Sequence, residues 1–213
     1  MVQNLVIYGA GGLAKETYGL IKSINKECET FNLISCVVDD EWFSADKYLF
    51  DIPIRPRNWL IENKDKVVCA CAIGYPKDRK KICEMLLREG IKFTNLIHPN
   101  AIICEGSQIG NGCIIQNWSV VSQDAIIGNG VFLNDYVTVG HDSVLGDYVT
   151  CFSKIQISGG VTVGKGSLIG SMSFISERRK IGDEAVVAPG SIVFTNVKSG
   201  THVLGNPARK IEL

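Results

Sequence analysis

The segment "IIGNGVFLNDYVTVGHDSVLGDYVT", residues 126–150, carries an aliphatic residue at every sixth position. The same step, from Ile97 to Val193, meets sixteen aliphatic residues and one cysteine, Cys151. Glycine often follows the aliphatic residue, and a small or β-branched residue often stands four positions after it. A period of six matches neither a helix nor a simple sheet. It predicts a β-solenoid, in which each hexad forms one short strand and a corner, and three hexads close one coil.

Residues 1–92 follow a different pattern. A short apolar run, "LVIYGA", is followed by a segment with helical spacing, "AKETYGLIKSI", and by a second apolar run, "LISCVVDD". The same order of apolar run and helical segment returns in "VVCACAIG" and "RKKICEMLLREG". Such alternation predicts a small Rossmann-like α/β domain with a parallel sheet. We therefore expect an α/β domain over 1–92, the solenoid over 93–198 and a C-terminal tail over 199–213.

A glycine-rich turn, "YGAGGLAKE", joins the first predicted strand to the first predicted helix. Gly9, Gly11 and Ala14 fit a G-x-G-x-x-A pattern, whose backbone amides can hold a phosphate at the helix N-terminus. Asp39 and Asp40 end the second strand and could accept hydrogen bonds from a sugar or base. An NAD site is one interpretation, but about 90 residues hardly suffice for a full dinucleotide fold. A nucleotide attached to another group fits better, and a turn that only packs helix on strand stays open.

The composition excludes some function classes. Twenty-two basic residues balance twenty-two acidic ones, so no overall field attracts nucleic acid. No signal-peptide pattern and no apolar run of about 20 residues is present, which predicts a cytoplasmic protein without membrane insertion. The eight cysteines are expected to be reduced core residues. Cys69 and Cys71 would need two further ligands to bind a metal, so we expect none.

Several motifs carry a resemblance to a known family. The hexads together with "GHDSVLGD", "ISGGVTVG" and "GNPARKI" resemble the left-handed β-helix, or hexapeptide-repeat, acyltransferases. "YGAGGLAKE" and "VVDD" narrow the resemblance to the NeuD and PglD type, which are sialic-acid O-acetyltransferases and nucleotide-aminosugar N-acetyltransferases. The resemblance implies acetyl transfer from acetyl-CoA to a sugar, in a homotrimer with active sites between neighbouring solenoids. It also implies that the α/β domain holds the nucleotide of the sugar substrate.

The candidate catalytic residues are His141, Asp142 and Gly159. Attack on a thioester needs a base that titrates near neutral pH, and imidazole is suited to this. Asp142 could orient the ring if Gly140 makes a corner there. One coil of eighteen residues after His141 stands Gly159, whose N–H could stabilise an oxyanion. A surface histidine and a glycine that merely eases a corner remain open interpretations.

The resemblance also suggests binding residues. The expected substrate contacts are Gly9, Gly11, Gly12, Leu13, Asp39, Asp40, Asn117 and Asn134. Leu13 stands where family members commonly carry histidine, and the two asparagines could equally be corner residues. The expected acetyl-CoA contacts are Thr150, Ser171, Ala188, Gly190, Arg209 and Lys210. Thr150 stands where some members carry a second histidine.

Three functions are weighed. The leading one is N-acetylation of a nucleotide-linked amino sugar, and the second is O-acetylation of sialic acid or a related sugar. The third is a non-catalytic solenoid scaffold with a nucleotide-sensing domain. One residue departs from the repeat: Arg179 stands at an inward-facing position, which predicts a local bulge of the coil.

Overall fold

The computed structural model describes residues 2–212. The N-terminal strands are β1 (Gln3–Tyr8), β2 (Phe31–Val38), β3 (Tyr48–Leu49), β4 (Ile52–Pro56) and β5 (Val68–Cys71). The helices are α1 (Gly12–Glu27), α2 (Arg57–Glu62) and α3 (Pro76–Arg88), with a 3₁₀ turn at Asp40–Trp42. The sheet has the order β3-β4-β2-β1-β5, and only the β3–β4 pair is antiparallel. The chain reverses direction across the sheet at β1, so a crevice opens between the carboxyl ends of β1 and β5.

The remaining strands form the three faces of a left-handed parallel β-helix. The covered face, on which the α/β domain packs, consists of β6 (Leu96–Ile97), β9 (Ile114–Ile115), β12 (Phe132–Leu133), β15 (Thr150–Cys151), β18 (Leu168–Ile169), β21 (Val186–Val187), β23 (His202–Leu204) and β24 (Arg209–Ile211). The second face consists of β7 (Ile102–Ile103), β10 (Val120–Val121), β13 (Thr138–Val139), β16 (Gln156–Ile157), β19 (Phe174–Ile175) and β22 (Ile192–Val193). The third face consists of β8 (Gln108–Ile109), β11 (Ile126–Ile127), β14 (Val144–Leu145), β17 (Thr162–Val163) and β20 (Lys180–Ile181).

The corners between these faces follow the hexad pattern. In one coil, residues 134–137 form the first corner (covered to second face), 140–143 the second corner and 146–149 the third corner. Strand partners differ by eighteen residues, so Leu133 pairs with Ile115 and Cys151. The aliphatic residues stack in a buried core, each contributing about 1.5–3 kcal/mol. The structure confirms the α/β domain followed by a left-handed β-helix.

Close contact between successive coils explains why glycine often stands at the start of a corner. A Cβ on Gly140 would lie 2.6 Å from the backbone nitrogen of Gly159 in the next coil. The coils therefore approach too closely there for any side chain.

The expected bulge at Arg179 is wrong. The Thr162 N–H still donates to the Arg179 carbonyl at 3.0 Å, and β20 keeps its register with β17. The side chain is half-exposed, and its Nε donates to the carbonyl of Glu177 at 2.9 Å. The regular corner can turn this long side chain outward, so the coil avoids a buried charge without distortion.

The two parts of the chain share buried surface. Ile114 and Phe132, which point outward from the covered face, belong to the same apolar cluster as Leu5, Ile7 and Leu20 of the α/β domain. The C-terminal segment adds β23 parallel to β21 and β24 antiparallel to β23, so it extends the covered face. Each helix within residues 2–212 is too short or too polar to cross a lipid bilayer.

Candidate active site

His141 and Asp142 occupy the second corner of their coil. The Nδ1 atom of His141 lies 2.7 Å from Oδ2 of Asp142. Adjacent residues of a strand could not make this contact, but Asp142 has φ of 58°, a left-handed conformation that aspartate tolerates better than most residues. Both side chains are about two-thirds exposed. The contact leaves Nε2 of His141 facing away from the carboxylate and open to a reactant.

Gly159 lies directly beneath the His141 ring. A Cβ on Gly159 would come within 2.5 Å of Nε2 and 2.7 Å of Cε1 of His141. The Gly159 carbonyl accepts a hydrogen bond from Arg178, whereas its N–H makes none within residues 2–212. A free backbone donor therefore lies close to Nε2, the imidazole nitrogen that Asp142 does not bind.

The fold itself does not demand glycine at position 159. The same corner position holds Glu105 and Gln123 in earlier coils and Glu177 in the next. The φ of Gly159 is also outside the left-handed region that favours glycine. Glycine is required at position 159 because a side chain there would collide with the His141 ring. This favours a functional role for Gly159 over a purely structural role in the corner.

The crevice between β1 and β5 contains the glycine turn. Gly9 has φ of 120°, and a Cβ there would lie 2.9 Å from the carbonyl oxygen of Ala72. Gly11 caps α1, and Gly11 and Gly12 have open space on the side where a Cβ would stand. Leu13 is half-buried and packs on the α/β core. The exposed backbone at the N-terminus of α1 suits close approach of an anion.

Asp39 and Asp40 lie at the mouth of this crevice. The Tyr8 hydroxyl donates to Oδ1 of Asp39 at 2.5 Å, and Nη1 of Arg57 donates to the same atom at 3.0 Å. Arg57 also pairs with Asp40 at 3.7 Å. Burial and the bond to Asp39 raise the pKa of Tyr8 well above its ordinary value, so the phenol stays a donor. These contacts orient Asp39 and leave Oδ2 without a hydrogen bond among the described residues.

The first corner carries Asn117 and Asn134. The Oδ1 atom of Asn134 accepts the N–H of Asp135 at 2.8 Å, so this side chain shapes its own turn. Oδ1 of Asn117 and Nε2 of the adjacent Gln116 are buried and make no hydrogen bond within residues 2–212. Buried polar atoms normally find partners, so these two atoms are exceptions among the described residues.

Ser171, Ala188 and Gly190 lie on the same row of first corners, two to three coils beyond Asn134. The Gly190 N–H donates to the Ser171 carbonyl at 2.8 Å, so the backbones of successive coils are in direct contact. Arg209 and Lys210 lie on β24, at the C-terminal end of the covered face, and both are exposed. The structure thus brings these five residues to one end of the β-helix. His141, on the second corner, is separated from them by the width of the second face.

Comparison with known proteins places this architecture in a family. Residues 4–86 match the model of the PglD N-terminal domain, and residues 91–123 match that of the bacterial transferase hexapeptide (six repeats). The chain is 30% identical over 213 residues to GDP-perosamine N-acetyltransferase of Escherichia coli O157:H7, covering 97% of this chain and 95% of the relative. The chain belongs to the PglD-type hexapeptide-repeat acetyltransferases.

Solved structures show that the fold of this PglD-type acetyltransferase extends over the whole chain. The acetyltransferase domain of PglB from Neisseria gonorrhoeae matches with a TM-score of 0.88 and 25% identity, covering 98% of this chain and all of that one. A histidine-to-asparagine variant of perosamine N-acetyltransferase from Caulobacter crescentus, in complex with CoA and GDP-perosamine, matches with a TM-score of 0.86 and 23% identity. It covers 100% of this chain and 98% of that chain.

The expected contact of Thr150 with acetyl-CoA is wrong for this PglD-type chain. The Thr150 side chain is fully buried between the covered face and the α/β domain. Its hydroxyl donates to the Gly74 carbonyl and accepts a bond from Arg79, each at 2.8 Å. Thr150 points outward from the covered face, and the α/β domain occupies the space that a co-substrate would need.

Several residues that line the crevice were not predicted from the sequence. Ile73, Asp78, Lys81 and the exposed Trp42 line the crevice, a cavity of about 350 Å³. An adjoining cavity of about 660 Å³ is lined by the acidic pair, Arg57 and the α3 residues Lys77, Lys80 and Lys81. The signal was present in "PKDRKK", a basic run that opens a helix directly after β5. Within residues 2–212, no three His, Cys, Asp or Glu side chains are grouped so as to hold a metal.

Proposed function

We propose that the protein transfers the acetyl group of acetyl-CoA to the amino group of a nucleotide-linked amino sugar, with His141 as general base. One observation carries this proposal: Nε2 of His141 lies beside the free N–H of Gly159, while Asp142 holds Nδ1. The family supports acetyl transfer, and the relative named GDP-perosamine N-acetyltransferase supports an amine on a nucleotide sugar as the acceptor.

In the proposed mechanism, the lone pair of the sugar amine attacks the thioester carbonyl. The new C–N bond creates a tetrahedral intermediate, whose oxyanion accepts a hydrogen bond from the Gly159 N–H. His141 Nε2 takes the proton that the attacking nitrogen loses, and Asp142 stabilises the resulting imidazolium. Collapse of the intermediate breaks the C–S bond, and the CoA thiolate takes the proton from His141. The side chains are then ready for another cycle.

The division of labour follows the two parts of the chain. We assign nucleotide binding to the α/β domain over 1–92 and catalysis to the β-helix over 93–198. Residues 199–213 lengthen the β-helix at the end where we expect acetyl-CoA to bind. The N-termini of α1 and α3 both lack a capping side chain and both border the crevice, so their amides can bind the diphosphate. The free Oδ2 of Asp39 can accept a hydrogen bond from the base or ribose. We expect the reaction in the cytoplasm, where acetyl-CoA and nucleotide sugars are made.

We propose that the enzyme acts as a homotrimer. His141 is on the second corner, whereas Asn117, Ser171 and Gly190 are on the first, up to about 20 Å away at ~3.3 Å per residue. One chain therefore cannot place all these residues around one thioester, but the second corner of one subunit can meet the first corner of another. Exposed apolar residues at the first corner, Trp118 and Met172, support such an interface.

The trimer predicts a distinct hydrodynamic and kinetic behaviour. Sedimentation should give a species of three chains, and the specific activity should fall when dilution produces monomers. The double variant Trp118→Asp with Met172→Asp should dissociate the trimer and lose transfer activity, because two charges would enter an apolar contact. A monomer with full activity would contradict the shared site.

The substrate class is tested with a panel of acceptors. Thiol release from acetyl-CoA should be fast with GDP- or UDP-linked amino sugars and at background with the same nucleotides linked to sugars that carry only hydroxyls. Free sialic acid is the control for O-acetylation. Release with sialic acid and none with any amino sugar would reverse the proposal.

A further inference from the structure

A buried arginine connects α3 to the β-helix. Arg79 is 1% exposed, although no carboxylate among the described residues pairs with it. Desolvation lowers the pKa of its guanidinium, but arginine remains charged at any physiological pH. Burying a cation without a counterion costs free energy unless each of its N–H groups makes a hydrogen bond. The hydrogen bonds of Arg79 therefore decide whether its burial is tolerated.

Those contacts join three separate segments. Nη1 donates to the carbonyls of Ile73 and Gly74, both at 2.8 Å, directly after β5. Nε donates to the carbonyl of Gly130 at 2.8 Å, in the third corner of one coil. Nη2 donates to the carbonyls of Tyr148 and Val149 and to the Thr150 hydroxyl, between 2.8 and 3.1 Å. The guanidinium thus spans the end of β5 and two neighbouring coils.

Thr150 completes this arrangement. Its hydroxyl donates to the Gly74 carbonyl at 2.8 Å while it accepts from Arg79, so the segment Ile73–Gly74 is fixed from two directions. Thr150 belongs to the same coil as His141, nine residues further along. The coil that carries His141 is therefore bonded directly to the loop after β5.

The loop after β5 also forms one wall of the crevice. The Ile73 side chain lines the cavity, and its Cδ1 lies 3.3 Å from where a Cβ of Gly9 would stand. Tyr75 is the N-cap residue of α3, and Asp78 in the first turn of that helix lines the same crevice. A shift of Ile73 and Gly74 would therefore move the side chain that packs against Gly9 and also the N-terminus of α3.

We propose that Arg79 and Thr150 form a positioning clamp that sets the nucleotide crevice relative to the catalytic coil. This inference depends on the proposed function in one respect: it takes the crevice to be the nucleotide-binding site. Neither residue touches substrate, so its effect reaches the ligand through Ile73, Gly74 and the start of α3. Loss of the clamp should therefore weaken binding of the nucleotide part and leave the acetyl-CoA part unchanged.

The test compares Thr150→Val, which keeps the shape and removes the hydroxyl, with Thr150→Ser, which keeps the hydroxyl. Thr150→Val should raise the Kd for GDP or UDP by calorimetry, and the KM for the nucleotide sugar, by about fivefold to tenfold, because the bonds of the hydroxyl to Arg79 and to the Gly74 carbonyl are both lost. Thr150→Ser should restore both constants to near wild type. The KM for acetyl-CoA should stay constant throughout. Thr162→Val, at the same hexad position on the exposed third face, is the matched control.

The outcomes separate the clamp from the activity. A Thr150→Val protein that melts earlier but keeps the wild-type Kd and KM would show that Arg79 and Thr150 only hold the domains together, and would overturn the clamp. If Thr150→Val does not fold, Thr150→Ala removes the same hydroxyl with a smaller side chain. A wild-type protein that binds GDP or UDP but acetylates no nucleotide sugar would overturn the proposed function, while the calorimetric comparison would still decide on the clamp.

Discussion

Replacing His141 by alanine should lower kcat by about 10²- to 10⁴-fold, the usual contribution of a general base. The KM values for acetyl-CoA and the nucleotide sugar should change little, because the imidazole acts on the proton that leaves during attack rather than on the bound ground state. The folding stability should also stay near wild type, since the side chain is about two-thirds exposed at a corner. Thiol release from acetyl-CoA, followed at saturating acceptor, measures the effect.

Glu105→Ala is the matched control for His141→Ala. Glu105 holds the same corner position two coils earlier, so its removal tests whether any side chain on that row of corners matters. We expect wild-type kcat from this control. Retention of more than about a tenth of kcat by His141→Ala would be incompatible with His141 as the base.

Replacing Gly159 by alanine should lower kcat by about 10²-fold, the lower end of the range for a lost general base, because the added methyl group displaces the His141 ring. The new methyl group would have to stand 2.5 Å from Nε2 of His141, so the ring must rotate away from the free N–H. The melting temperature should change little, because three other coils hold glutamate or glutamine at the same corner position, at Glu105, Gln123 and Glu177.

A double-mutant cycle distinguishes a local effect from a general one. In the His141→Ala background, Gly159→Ala should cost far less than in the wild type, since the clash with the ring no longer exists. If the two changes lower kcat independently and multiply, the steric coupling between Gly159 and His141 would be refuted. Alanine keeps the backbone N–H of position 159, so any effect that remains in this background reports a displaced backbone and not a lost donor.

The spacing of eighteen residues predicted correctly that Gly159 lies next to His141. A β-helix repeats its geometry every coil, so counting from His141 was enough to place Gly159 beside it, and the corner glycine made the Asp142 contact geometrically possible. The structure added the reason for assigning Gly159 a function: other coils accommodate long side chains at this position, and only the His141 ring excludes one here. The parallel sheet, the glycine turn and Asp39 at its mouth also followed from the order of strands and helices.

The contacts of Thr150 and Arg79 could not be predicted in this way. A strand residue that points outward from a solenoid is normally a surface residue, and the repeat carries no information about what covers that face. In the sequence, Arg79 is one of four basic residues in "PKDRKK", and nothing in this segment distinguishes it from the three lysines. Its burial depends on how α3 docks on two coils that are 50 to 70 residues away in the chain, as do its bonds to Gly130 and Thr150.

By itself, the sequence determined the β-helix, the α/β domain and the row of corners on which His141, Asp142 and Gly159 stand. These features arise from local patterns that repeat at a fixed period, so each hexad or strand-helix unit specifies its own conformation. Only the tertiary structure decided that Thr150 is buried, that Arg57 and Tyr8 orient Asp39, and that the candidate residues divide between two corners. Those facts depend on packing between distant segments, where the partner of a side chain is set by the docking of whole elements and not by its neighbours in the chain.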